Sequence, residues 1–167
     1  AAFEDFLGRM LEEGVLVDAA LARTDTQAKA LWAIRDATAE FPILLPGMAA
    51  FDVSFAIGDI GRAALECEAM LRERWPGSTA LVYGHLGDGN LHVIAHVQGG
   101  GPETNEAIEG AVYDLVRRYH GAVSAEHGIG LLKRKVLGHT RSPAELAAMR
   151  AIKAALDPRG ILNPGKV

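Results

Sequence analysis

A single cysteine, Cys67, stands in a chain of 167 residues. No internal disulfide can form, and neither a cystine-stapled fold nor a Cys-rich zinc scaffold is available. Aromatic residues make up only 6%, too few for the stacking platforms that hold single-stranded nucleic acid. Basic side chains do not dominate: 17 Lys and Arg stand against 21 Asp and Glu, a net charge of −4. A general nucleic-acid binder would carry a basic stripe instead. No apolar run approaches the roughly 18 residues of a membrane span. The opening AAFEDFLGRMLEEG is acidic and amphipathic, unlike a secretory signal. There is no internal repeat and no low-complexity tract. What remains is one globular domain, expected in the cytoplasm. It is 49% hydrophobic and long enough to bury its own core.

Periodicity divides the chain into a helical lead-in (1–46), a mixed core (47–126) and a C-terminal helix with its tail (127–167). In the lead-in, helices are expected over roughly 2–13 and 25–40, the second opened by a capping box of Thr24 and Gln27. FPILLPGMAA closes it, because Pro42 and Pro46 push their predecessors toward extended geometry. In the core, AFDVSFAI (50–57) reads as a strand. Asp59 to Trp75 reads as a helix with Ile60, Ala63, Ala64, Cys67, Met70 and Leu71 on one face. STALVYGHL and NLHVIAHV are strands, and Thr104 to His120 is a helix. GAVSAE (121–126) is a last short strand. The order βαββαβ predicts an α+β fold, a ferredoxin-like antiparallel sheet of four strands with helices on one face. Ser142, Pro143 and Glu145 start a final helix that Pro158 and Gly160 end near Leu156.

Chemistry concentrates in two places. The first is Tyr83-Gly84-His85-Leu86-Gly87-Asp88-Gly89-Asn90-Leu91-His92. Asp-Gly between strands predicts a two-residue hairpin turn, which sets His85 directly opposite His92, with Cβ atoms about 5 Å apart. Leu91, Val93, Ala95 and Val97 alternate toward the core, so both histidines stand on the other face, where one cation could bridge them. The alternative is a glycine-rich hairpin whose histidines are solvated or hydrogen-bonded. His96 shares that face but is further from the turn and is read as incidental. The second place is Ser124-Ala125-Glu126-His127-Gly128-Ile129-Gly130. Glu126 could complete a His₂–carboxylate site suited to zinc or a similar divalent ion. His127 would then be a titratable base beside it. The alternative is an acid–imidazole pair capping the next helix. In an ideal ferredoxin-like sheet the last strand ends opposite the hairpin tip, which would keep Glu126 from His85.

GHLGDGNLH, SAEHGIG and LDPRGILNPGKV, in this order, resemble the C-terminal substrate domain of FAD-linked oxidases of the vanillyl-alcohol-oxidase type. D-lactate, D-2-hydroxyglutarate and glycolate dehydrogenases belong to this group. The resemblance runs from LWAIRD near Leu31 to Val167. It implies that His85, His92 and Glu126 ligate a divalent metal, zinc or manganese, which holds the substrate's hydroxyl and carboxylate. By the same resemblance His127 is the base that removes the hydroxyl proton while hydride passes to FAD. Arg35 pairs with the substrate carboxylate, and Asn163 packs near the flavin. Three positions depart from the hydroxyglutarate pattern: Ala50 replaces a lysine, Ala39 a threonine and Ile94 an asparagine. The implied substrate is therefore a smaller or more apolar 2-hydroxy acid, such as lactate or glycolate.

FAD would be bound mainly by an upstream domain that this sequence does not contain; Gly58-Asp59-Ile60-Gly61 is no phosphate loop. The chain alone is expected to be an inactive fragment of a longer enzyme, which would also need an electron acceptor. A homodimer is compatible with the reading. The rival from another class is a stand-alone ferredoxin-like module that binds a metal or small ligand for regulation. A third is a subunit-interaction domain without a ligand.

Overall fold

Alternation decides how the first strand is used. In the computed structural model, which describes residues 2–166, Ala49–Ser54 forms β1. Ala49, Phe51 and Val53 are buried in the hydrophobic core, while Ala50, Asp52 and Ser54 alternate to the opposite face. The chain divides after Leu44 into two units.

The first unit is helical: α1 (Ala2–Glu12), α2 (Asp25–Asp36), a 3-10 turn over Ala37–Glu40, and the single turn α3 (Phe41–Leu44). Thr24 caps α2 by accepting from the Gln27 N–H at 3.2 Å. The Gln27 side chain takes the N–H of Arg23 at 2.7 Å, one residue before the cap. The second helix thus ends short of Glu40 as an α-helix. Pro42 sits inside a helical turn rather than breaking one, because in the first turn its missing N–H has no intrahelical role.

The second unit carries β1, α4 (Ile60–Arg74), β2 (Thr79–His85), β3 (Asn90–His96), α5 (Pro102–Arg118) and α6 (Pro143–Leu156). The three strands form an antiparallel sheet in the order β1-β3-β2. Ile60, Ala63, Cys67 and Leu71 of α4 and Ile108, Val112, Leu115 and Val116 of α5 pack with Phe51, Val53, Leu91 and Val93 in one core. Every fully buried Val or Leu there contributes about 1.5–3 kcal/mol. Phe51 and Tyr113 meet edge-on, with ring centroids 5.5 Å apart. At α6 the Ser142–Glu145 capping box is present as the sequence predicts, with Pro143 at the first position.

The expected fourth strand is not formed. Of 121–126, only Ala122 bridges to the sheet, exchanging two hydrogen bonds with Ser54 at 2.9 and 3.0 Å. Gly121 permits this contact, since a Cβ there would lie 2.3 Å from the Ser54 carbonyl oxygen. Beyond it the Ala125 N–H still reaches the Asp52 carbonyl at 3.2 Å, but a side chain competes as acceptor. The Asp52 carboxylate receives the N–H groups of Ala125, Glu126 and His127, and no regular ladder continues.

Candidate metal centre

The hairpin also departs from its expected form. Leu86–Asp88 makes a 3-10 turn, and Gly89 alone is left-handed, with φ 73°. The connection is therefore four residues, and the register pairs His85 with Asn90 and Tyr83 with His92. His85 and His92 are not directly opposed. The slip is two residues, however, so parity is preserved and both rings stay on the same face. Their centroids are 5.6 Å apart on the diagonal, at an interplanar angle of 82°.

Three rungs of the sheet build this face: Ser54–Asn90–His85, Asp52–His92–Tyr83 and Ala50–Ile94–Leu81. The collapsed fourth strand lays the 124–128 loop over the middle rung. Glu126 therefore reaches the histidines, against the expectation from an ideal sheet. Its Oε1 lies 3.4 Å from His85 Nδ1 and its Oε2 3.9 Å from His92 Nε2. His127 follows, its ring stacked 6.2 Å from that of His92. Its Nδ1 is 3.7 Å from Asp52 Oδ2. His96, opposite Thr79, is two rungs from His92 and outside the cluster.

The donor chemistry fits a divalent cation. Among the described residues no hydrogen bond occupies a ring nitrogen of His85 or His92, or an oxygen of Glu126. Desolvation pushes the pKa of His92, whose side chain is only 14% exposed, below the usual imidazole range. The carboxylates of Asp52 and Glu126 oppose that shift, and the neighbouring imidazoles of His85 and His92's other neighbour His127 reinforce it. A neutral imidazole is the ligating form. Asp88 adds a fourth donor at the rim, 3.6 Å from His85 Nδ1, and groups closely with His85 and Glu126. Asp52 also groups with Glu126 and His127, but its oxygens already serve five donors.

Asp52 is what sequence reasoning missed. It is 2% exposed, yet it accepts from three backbone N–H groups, the Ser124 hydroxyl at 3.1 Å and Lys133 Nζ at 3.3 Å. Burial alone would raise its pKa, but the N–H groups of His127 and Glu126, the Lys133 charge and Ser124 together bring it down to about 2. A charged residue inside the apolar run AFDVSF was the available signal. Asn90 is a second such residue: buried beside His85, with neither amide atom hydrogen-bonded to protein.

Two candidates remain. Arg35 belongs to the first unit, where it pairs with Asp36 at 3.3 Å. Asn163 adopts a left-handed turn, φ 45°, in the tail of the second unit and is exposed.

The sequence matches the family described as FAD linked oxidases, C-terminal domain, over residues 1–167. The chain belongs to that family. It is 33% identical over 165 residues to a D-2-hydroxyglutarate dehydrogenase of Stutzerimonas stutzeri, covering 94% of this chain and 35% of the relative. It is 36% identical over 163 residues to the mitochondrial D-2-hydroxyglutarate dehydrogenase of Bos taurus, covering 97% and 29%. The chain thus spans about a third of the length of these curated relatives. Among the described residues no helix is long and apolar enough to cross a membrane.

Proposed function

We propose that this domain forms the substrate side of the active site in an FAD-dependent dehydrogenase of short or apolar D-2-hydroxy acids, of the D-lactate or glycolate type. The observation that carries the reading is the convergence of His85, His92 and Glu126, with uncommitted lone pairs, beside His127. A divalent cation, zinc or manganese, supplies positive charge there that eases ionisation of a hydroxyl group. His127 accepts the hydroxyl proton, and Asp52 holds the backbone of His127 in place through its N–H at 2.9 Å. Arg35 pairs with the substrate carboxylate through its two-pronged guanidinium. FAD supplies the hydride acceptor, with Asn163 near it. We read the fold as a ferredoxin-like variant whose last strand is reduced to one bridge, and the location as cytoplasmic.

Substrate size follows from the third rung. Next to Asp52–His92–Tyr83 the face continues as Ala50–Ile94–Leu81, and none of these can pair with a second carboxylate. This supports a short or apolar side chain on the acid. That the relatives are D-2-hydroxyglutarate dehydrogenases favours a second reading, D-2-hydroxyglutarate. Steady-state kinetics of the flavin-containing protein that carries this domain decide between them. The first reading expects kcat/KM for D-lactate or glycolate at least about tenfold above that for D-2-hydroxyglutarate, about 1.4 kcal/mol of discrimination. It also expects Ala50→Lys to narrow the gap. The reverse order establishes the second reading.

A further inference from the structure

We propose that a cavity of about 630 Å³ in the second unit, walled by Arg134, Arg141, Arg150 and Lys166, binds an organic anion: a phosphate or carboxylate group on an apolar body. This does not rest on the reaction proposed above.

Unpaired positive charge gathers at this cavity. Of the 17 Lys and Arg side chains, nine pair with a carboxylate among the described residues. Eight do not, and four of those eight line this one cavity. In a chain of net charge −4, that concentration of cations without an ion-pair partner is not the average surface, although Arg141 feels a nearby carboxylate, that of Glu145. A concave wall focuses their field on whatever enters. Glu126 is the one carboxylate among the lining residues, and its oxygens are turned to His85 and His92.

The wall is also held in place. The Arg134 guanidinium donates to the Gly165 carbonyl at 2.7 Å, and that of Arg141 to the Thr140 carbonyl at 3.0 Å. Carbonyl partners fix the guanidinium groups without neutralising them. The tail that carries Lys166 is tied down further back. Asp157 accepts the N–H groups of Ile161 and Leu162 at 3.0 and 2.9 Å, and Lys153 donates to both Asp157 and the Leu162 carbonyl.

An apolar side matches the ligand's other half. Leu137, Leu146 and Met149 supply an apolar side to the same cavity. Its volume falls in the range of about 300–1,000 Å³ typical of small-molecule sites, far beyond the needs of a bare inorganic anion.

Calorimetric titration of the chain at pH 7.5 with EDTA present keeps divalent metal out of the measurement. The probes are 1-naphthyl phosphate, 1-naphthoate and inorganic phosphate. We expect one-to-one binding of at least one naphthyl probe, at least about tenfold tighter than inorganic phosphate and weakened by salt. The tighter of the two naphthyl probes identifies the anionic group. Arg141→Gln and Arg150→Gln should each weaken it about tenfold, the loss of one charge-assisted hydrogen bond. Lys166→Gln serves where either arginine variant fails to fold by circular dichroism. Arg159→Gln, which removes a cation outside the cavity with no ion-pair partner among the described residues, should leave binding unchanged. Absence of naphthyl binding, equal affinity for inorganic phosphate, full affinity in the arginine variants, or an equal loss in Arg159→Gln would each overturn the assignment. The metal titration of His85 and His92 variants is a separate measurement, so failure here leaves the proposed function standing, and the converse.

Discussion

Asp52→Asn removes one negative charge from a carboxylate that five donors share. The amide that replaces it offers a single acceptor oxygen and turns two N–H groups toward partners that are themselves donors. Breaking one half of a buried ion pair costs about 3–5 kcal/mol. Lys133 keeps two other acceptors, the Asp52 carbonyl and the Ser124 hydroxyl, both at 3.1 Å, which places the loss at the low end, roughly 3 kcal/mol. Acid supplies an independent check. The Asp52 carboxyl lies at about 2 against an ordinary 3.8, a gap worth about 2–3 kcal/mol at about 1.4 kcal/mol per pH unit. A depressed carboxyl contributes this in full above pH ~4 and loses it as pH falls through ~2. Urea unfolding at pH 7, 4 and 2.5 tests both figures. At pH 7 the variant midpoint should fall by about 1.5 M, taking a slope near 2 kcal/mol/M. The gap between variant and parent should narrow by pH 2.5. A variant within about 0.5 kcal/mol of the parent at pH 7, or a gap that does not change with pH, refutes the role given to this carboxylate.

Burial and the neighbouring Glu66 and Glu68 push the Cys67 thiol up to about 12. A disulfide reagent should leave the native chain unmodified at pH 8 and titrate one thiol in denaturant; native labelling would place Cys67 outside the core. Gly89→Ala should lower stability by at least about 2 kcal/mol. Its φ is 73°, and a Cβ would lie 2.2 Å from the Phe55 carbonyl oxygen. Thermal melting checks this, and an unchanged midpoint would contradict the hairpin geometry.

Much of this arrangement was legible in the chain because single-residue patterns carry it. Strand alternation placed Leu91 and Val93 inside and His92 outside, and helical spacing found Cys67 and Leu71 on the core face of α4. Ser142 and Glu145 announced the start of α6. The turn between β2 and β3 was less legible. Asp88-Gly89 satisfies a two-residue turn locally, but Gly89 is drawn to the Phe55 backbone, whose N–H bonds the Gly89 carbonyl at 2.9 Å, and the loop lengthens to suit. Glu126 could not be placed for a related reason. A buried side chain 74 residues away in sequence, Asp52, decides where its backbone goes, and no local pattern encodes such a bond. Arg35 and Asn163 rest on motif resemblance, since neither makes a contact that spacing could have foreseen.

Zinc titration of the purified chain at pH 7.5, by calorimetry, bears on the metal centre itself. His85→Ala, His92→Ala and Glu126→Ala should each weaken binding by about tenfold or more, while His96→Ala should leave it unchanged. Affinity should also fall as pH drops below the usual imidazole range, because the ligating form of His92 is neutral and burial holds its pKa under that range. Equal losses in all four variants, or none in any, would contradict the account and leave a structural histidine hairpin in its place.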